Sequence, residues 1–158
     1  MRTSLKTGLS FGLTSGVITT LGLMVGLHAG THSKAVVLGG ILTIAVADAM
    51  SDALGIHIAE ESKNHGSVVE IWESTLAAFA AKFVIASTFV VPVFLLPLDL
   101  AVLVCLGWGL SLLAVLSYGL ARAQRISPWK VIGEHLLIGF CVVAITHYLG
   151  EWVRGRFT

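Results

Sequence analysis

From Thr7 to Ser33 the chain carries no Asp, Glu, Lys or Arg, and from Leu100 to Ala121 it again carries none. Coiled as a helix, each run is long enough to cross the ~30 Å hydrocarbon core of a bilayer. In that core the backbone must satisfy its own hydrogen bonds, so an uninterrupted apolar run of this length reads as a spanning helix. The first run exceeds the apolar part of a cleaved signal peptide and is read as a retained span. Composition agrees. Charged residues make up 12% of 158 and hydrophobic ones 56%, against about 25% charged in soluble domains. The net charge of +1 gives no case for nucleic acid binding.

The expected fold class is an all-α integral membrane protein, with residues 1–158 forming one membrane domain of five transmembrane helices. The spans fall at about 8–28, 36–57, 77–97, 100–120 and 129–152, with a short cytoplasmic acidic helical turn at about 58–76. Glu70 and Glu73 are too polar for lipid, so the third helix starts outside the membrane and enters near Ala77. Pro92 and Pro97 mark its distal end with a kink or a stop. Ser127 and Pro128 suit the cap and first position of the last helix. Trp129, Tyr148 and Trp152 suit the two membrane interfaces. Arg2, Lys6, Lys63, Arg122, Arg125 and Lys130 share one side of this arrangement, and Lys34, Arg154 and Arg156 share the other. The excess of positive charge places the amino terminus in the cytoplasm and the carboxyl terminus on the opposite side.

Within the second span, AVADAMSDALGIHIAEE (Ala45 to Glu61) sets two carboxylates among small and aliphatic residues. Asp48 and Asp52 are four residues apart, so on a helix they share one face. An ionised carboxylate in hydrocarbon costs about 3 kcal/mol even on the lenient insertion scale. That face is the first candidate for a cation site, with oxygen ligands suited to Mn²⁺ or Fe²⁺. Lys82 lies as far beyond His65 as Asp48 lies before it, which puts the two at one depth. Two readings stay open for Lys82. It pairs with Asp48, and is displaced by a cation or gives up its proton; or it snorkels to the cytoplasmic interface.

A second group, Glu60, Glu61, His65, Glu70 and Glu73 with His57 beside it, either collects divalent cations or is a solvated acidic turn. Glu134 and His135 start the last span, as a proton relay or simply as a polar helix start. His28, His32 and His147 lie toward the outer side and suit proton shuttling. Met24 and Met50 read first as packing residues, and Met50 is also counted with the path. Cys105 and Cys141 sit in apolar runs and read as packing residues, neither a disulfide nor a zinc site. No hydrolase elbow, phosphate loop or dinucleotide fingerprint is present, so no enzyme is expected. Gly8, Gly12 and Gly16, then Gly22 and Gly26, recur every four residues and allow close helix approach in lipid.

FGLTSGVITTLGLMVGL (Phe11 to Leu27), ADAMSDALGIH (Ala47 to His57), the proline ending of the third span and PWKVIGEHLLIGFCVVAITHYLG together resemble the vacuolar iron transporter family. The resemblance covers nearly the whole chain in the same five-span order. It implies a homodimer, with Gly12 and Gly16 of span one at the seam and a metal path between the protomers. It also implies export of cytosolic Fe²⁺ or Mn²⁺ against protons, and an acidic collecting region between spans two and three. That family's first-span aspartate falls on Ser15 here and its second-span methionine on Asp52, so both positions are assigned to the path. Its glutamate after the second-span glycine falls on Ile56, and its long acidic insertion is reduced to roughly Glu60–Glu73.

The expected function is transport of a divalent metal out of the cytosol, coupled to protons because carboxylates that bind metal release theirs. The metal is substrate, and no cofactor is expected. The expected location is the plasma (inner) membrane of a prokaryote. The alternatives are a small cation or proton pathway without iron activity, or a scaffold whose Asp48, Asp52 and Lys82 only lock helices together.

Overall fold

The computed structural model describes residues 3–63 and 67–157. Its helices are α1 (Thr3–Thr31), α2 (Lys34–Glu61), α3 (Val68–Thr88), α4 (Val90–Leu95), α5 (Leu98–Gln124) and α6 (Pro128–Phe157). Among the described residues, five segments are long and apolar enough to cross a membrane, with α3 and α4 together making the third. The chain is an all-helical, multi-pass integral membrane protein. The spans are longer than the apolar runs alone suggested. A 28-residue segment such as Lys34–Glu61 extends about 42 Å, which covers the core and part of both interfaces.

The chain reverses tightly. Only His32 and Ser33 separate α1 from α2, and the Ser33 hydroxyl accepts a hydrogen bond from the Val36 N–H at 3.4 Å. At the start of α3, Ser67 and Glu70 form a reciprocal capping box, which supplies partners for two otherwise unpaired amide groups. The third span breaks at Phe89, whose N–H turns back to the Ala86 carbonyl. Pro92 explains the break, since it has no N–H to continue the ladder and its ring crowds the carbonyl four residues earlier. The helix then stops at Leu95, before Pro97, and the Lys34 ammonium donates to the Phe94 and Leu96 carbonyls at 2.9 and 3.0 Å. A cation at a helix end with open carbonyls is favourable.

α1 is the central helix and packs on α2, α3, α5 and α6. Its glycines make this possible. The Ser74 and Ala78 backbone oxygens lie where Cβ atoms of Gly8 and Gly12 would stand, and a Cβ on Gly16 would meet the Lys82 backbone at 3.3 Å. The contacts advance by four residues in both helices, so α1 and α3 run in the same direction, as first and third spans must. The glycine stripe is therefore occupied within one chain. The expectation that Gly12 and Gly16 form a seam with a second copy is corrected, because α3 already uses the close approach that they allow. Gly26 likewise faces the Thr146 backbone of α6.

Gly12→Ala is expected to destabilise the detergent-solubilised protein by about 1–3 kcal/mol, because two backbones must separate to admit one methyl group. Gly39→Ala, which meets nothing within 4 Å, serves as the neutral comparison. Thermal unfolding of the two variants side by side checks this, and equal midpoints would contradict the packing.

The core between these helices is apolar, with Val17, Leu21, Met24, Ile41, Phe89 and Leu113 fully buried. Cys105 is buried, as a packing residue is, whereas Cys141 is exposed and its reading as a packing residue is corrected. The outer surface of α2 and α6 is apolar as well: Leu42, Val46 and Leu54 on one, Leu137, Phe140 and Ile145 on the other. In water such a surface would be a liability; in a bilayer it faces lipid.

Candidate cation site

The largest fully buried side chain in the bundle is that of Lys82, at 1% exposure. It sits near the midpoint of its span, Val68–Leu95, and Asp48 sits near the midpoint of Lys34–Glu61. At that depth an unpaired charge would cost several kcal/mol. The helices supply partners from two directions. Asp48 and Asp52, one turn apart on α2, both reach the Lys82 Nζ through Oδ2 at 2.5 Å. The third donor of the ammonium goes to Ser15 Oγ on α1 at 3.0 Å, and the Ser15 hydroxyl in turn donates to Asp52 Oδ2 at 2.6 Å. The ammonium donates hydrogen bonds to Ser15 and Asp52, and Asp48 adds an ion pair.

Two sequence alternatives are thereby decided. Lys82 does not snorkel to an interface; it is enclosed where α1, α2 and α3 meet. The division that paired Asp48 with Lys82 and left Asp52 free to line the path is corrected, since one ammonium holds both carboxylates. The reason is geometric. Side chains four apart on a helix point the same way, and a single ammonium set between them removes two unpaired charges at once. The carboxylates are less enclosed than the lysine, with 33% of the Asp48 side chain and 19% of that of Asp52 exposed. Two acidic side chains of α2 thus share one basic side chain of α3.

Ser15 belongs to this cluster. Met50 does not. It lies two residues from each aspartate on α2, is 59% exposed and points outward with Val46 and Leu54. A half-turn of helix separates it from the carboxylate face.

The acidic group near the amino-terminal end of α3 is dispersed. Glu60 pairs with Lys63 at 2.6 Å, Glu70 is spent on the capping box, Glu61 is exposed and Glu73 is half-buried. His65 lies outside the described residues. His57 turns instead to Thr75: its Nδ1 is 3.0 Å from the Thr75 hydroxyl, and its ring meets the edge of Trp72. That hydroxyl already donates to the Ile71 carbonyl, so the imidazole N–H is the donor to it. Among the described residues, no three His, Cys, Asp or Glu side chains are grouped so as to hold a metal ion. Short acidic side chains at helix ends are more cheaply satisfied by caps and neighbouring lysines than by one another.

Glu134 is exposed on α6, and His135 donates from Nδ1 to Ser117 Oγ at 2.7 Å, tying α6 to α5. Neither is joined to the Lys82 cluster by a hydrogen bond. The end of the bundle where α1 finishes and α5 begins holds a chain of contacts among histidines that the sequence reading considered only as proton shuttles. His28 bonds Asp99 at 2.9 Å, its ring lies 5.1 Å from that of His32, and His32 receives the Arg154 guanidinium at 2.9 Å. These links join α1 to the starts and ends of α5 and α6. They depend on long-range pairings that no local spacing announces.

No protein-family model matches this chain, and no curated protein matches it.

Proposed function

We propose that the protein is a proton-coupled cation transporter that carries a divalent metal, Fe²⁺ or Mn²⁺, out of the cytosol. The observation that supports this most is the Lys82 ammonium held between two partly open carboxylates at mid-membrane. Well-packed apolar residues would hold three helices together at lower desolvation cost than a buried ionic cluster. A cluster kept in such a place is explained by use. With Lys82 protonated its charge is −1. A divalent ion that takes the place of the ammonium, with loss of the lysine's proton, brings the cluster to 0. The metal and the protonated lysine then compete for the same oxygens, and the proton that Lys82 releases is the coupling. Ser15 adds a neutral oxygen to the two carboxylates, a hard donor set suited to these ions.

The scaffold reading has one observation in its favour, the complete pairing of a lysine at 1% exposure. The exposure of Asp48 and Asp52 favours exchange, since a purely structural cluster gains nothing from carboxylates left partly open. The acidic residues Glu60, Glu61, Glu70 and Glu73 act in the transport reading as a diffuse attraction for cations at the cytoplasmic mouth, without a fixed site. The homodimer belongs to this reading too, with its seam on a face other than the Gly12 and Gly16 stripe.

Purified protein in liposomes that contain a pH-sensitive dye tests the function. Adding Mn²⁺ or Fe²⁺ outside is expected to drive protons out and make the interior alkaline in step with metal uptake. Metal entry without a pH change would leave an uncoupled pathway, and no entry at all would leave the scaffold.

The orientation proposed is amino terminus in the cytoplasm, carboxyl terminus outside, in the plasma (inner) membrane of a prokaryote. Cysteines introduced at Ser33 and Ser127 are expected to react with a membrane-impermeant maleimide from opposite sides, that at Ser127 from the cytoplasm. Reaction of both from one side would break the five-span topology.

A further inference from the structure

His32 stands just past the end of α1 with φ 51°, and its N–H returns to the His28 carbonyl at 2.9 Å. Glycine fills such a left-handed end position most cheaply, so a histidine here brings something that glycine lacks, a ring. Arg154, on the last turn of α6, donates from Nη1 to that ring, 2.9 Å from Nδ1 and 3.2 Å from Nε2. A guanidinium keeps its charge and has no acceptor, so the imidazole must supply the lone pair. A neutral imidazole has one such nitrogen and a protonated one has none. The contact with Arg154 and a proton on His32 therefore exclude each other.

The surrounding charges do not soften that exclusion. On α1, the His28 ring lies 5.1 Å from that of His32, and its Nε2 is 2.9 Å from the Asp99 carboxylate of α5. On α6, the Glu151 carboxylate lies 3.8 Å from both His147 and Arg154, and Arg156 is exposed. Lys34, the first residue of α2, is committed to the Phe94 and Leu96 carbonyls. Both nearby carboxylates thus have cationic partners, and among the described residues His32 is paired with neither. His32 is exposed, so protons reach it from solvent.

We propose that His32 and Arg154 form an acid-released latch that holds the turn between α1 and α2 to the end of α6. The latch is closed while His32 is neutral. It opens as the pH falls through the range in which imidazoles take up a proton, because two cations then face each other where a hydrogen bond stood. Arg154 keeps Glu151 beside it on its own helix. The latch is independent of what the Lys82 cluster carries. In the orientation proposed above it faces outside, so an acid exterior loosens the joint between the two helices that bring Ser15 and the aspartates together.

Pulsed EPR between spin labels on Ala35→Cys and Gly155→Cys tests the latch in the detergent-solubilised chain, with Cys141→Ser so that this exposed thiol takes no label. Both labelled positions are exposed, and a side chain at Gly155 meets nothing within 4 Å. A longer-distance component is expected to grow at least about fivefold between about pH 8 and about pH 5. Arg154→Met should show that component at both pH values. His32→Asn should show it at neither, since asparagine tolerates the left-handed conformation, offers a carbonyl oxygen to Arg154 and does not titrate. Thermal unfolding at the higher pH establishes that the variants are folded, and His32→Gln takes the place of His32→Asn if it is not. A distribution that does not change with pH in the parent would overturn the latch. So would a pH response that persists without His32, which would move the switch to His28 or His147.

Discussion

Lys82→Met is expected to be the most damaging single substitution in the bundle, with a loss of about 3–5 kcal/mol of stability in detergent. The methionine fits the space of the lysine stem, so the loss is electrical. Asp48 and Asp52 would face each other at mid-membrane without the ammonium that both contact at 2.5 Å. Asp48→Asn should cost clearly less, because Asp52 and Ser15 continue to hold the ammonium. The triple change Asp48→Asn, Asp52→Asn, Lys82→Met removes every charge and should recover much of the loss, the non-additivity expected of groups that act together. Thermal unfolding followed by tryptophan fluorescence gives the ranking. If Lys82→Met proves no less stable than Asp48→Asn, the shared ammonium is not what holds the three helices.

Asp52→Asn is expected to abolish most metal-coupled proton flux while the protein stays folded. The amide keeps nearly the same shape and still offers an oxygen to the Ser15 hydroxyl and to Lys82. It removes one of two negative charges, so a divalent ion that displaces the lysine would meet one carboxylate in place of two. Ser15→Ala removes a neutral contact and should weaken transport without abolishing it. Dye-loaded liposomes read both variants in one assay, with retained thermal stability showing that folding is not the cause. Full coupled flux through Asp52→Asn would remove the site from the path, whatever its structural part.

Together the two variants separate holding the fold from carrying a cation. Lys82 acts on both counts because its charge is the cluster's resident occupant. Asp52 acts on the second more than the first, because Asp48 remains to neutralise the lysine. A purely structural cluster would instead show stability and transport failing in the same order, if transport existed at all.

The spans were legible because hydropathy needs no tertiary information. The bilayer requires long apolar helices whatever their neighbours, and the charge-free runs at Thr7–Ser33 and Leu100–Ala121 become α1 and α5. Pro92 announced the break in the third span, and Ser33 and Ser67 sit where helix starts need a capping oxygen. The level of Lys82 with Asp48 was also legible, because two helices joined by a short turn fix depth by counting residues. That Lys82 takes both aspartates was decided by the rotation of α2 against α3, which sequence spacing does not specify. The same holds for the glycines. Their four-residue repeat showed that something approaches α1 closely, but a glycine stripe does not name its partner. Only the packed bundle places α3 over Gly8, Gly12 and Gly16 and α6 over Gly22, Gly26 and Gly30. The acidic residues show the limit from the other side. Their number suggested a common site, yet Glu60 met Lys63 and Glu70 the cap of α3, since a local partner costs less chain entropy to reach than a shared ion. Sequence determined which segments enter the membrane and at what depth their charges lie; the rotation of each helix about its axis decided which charges meet.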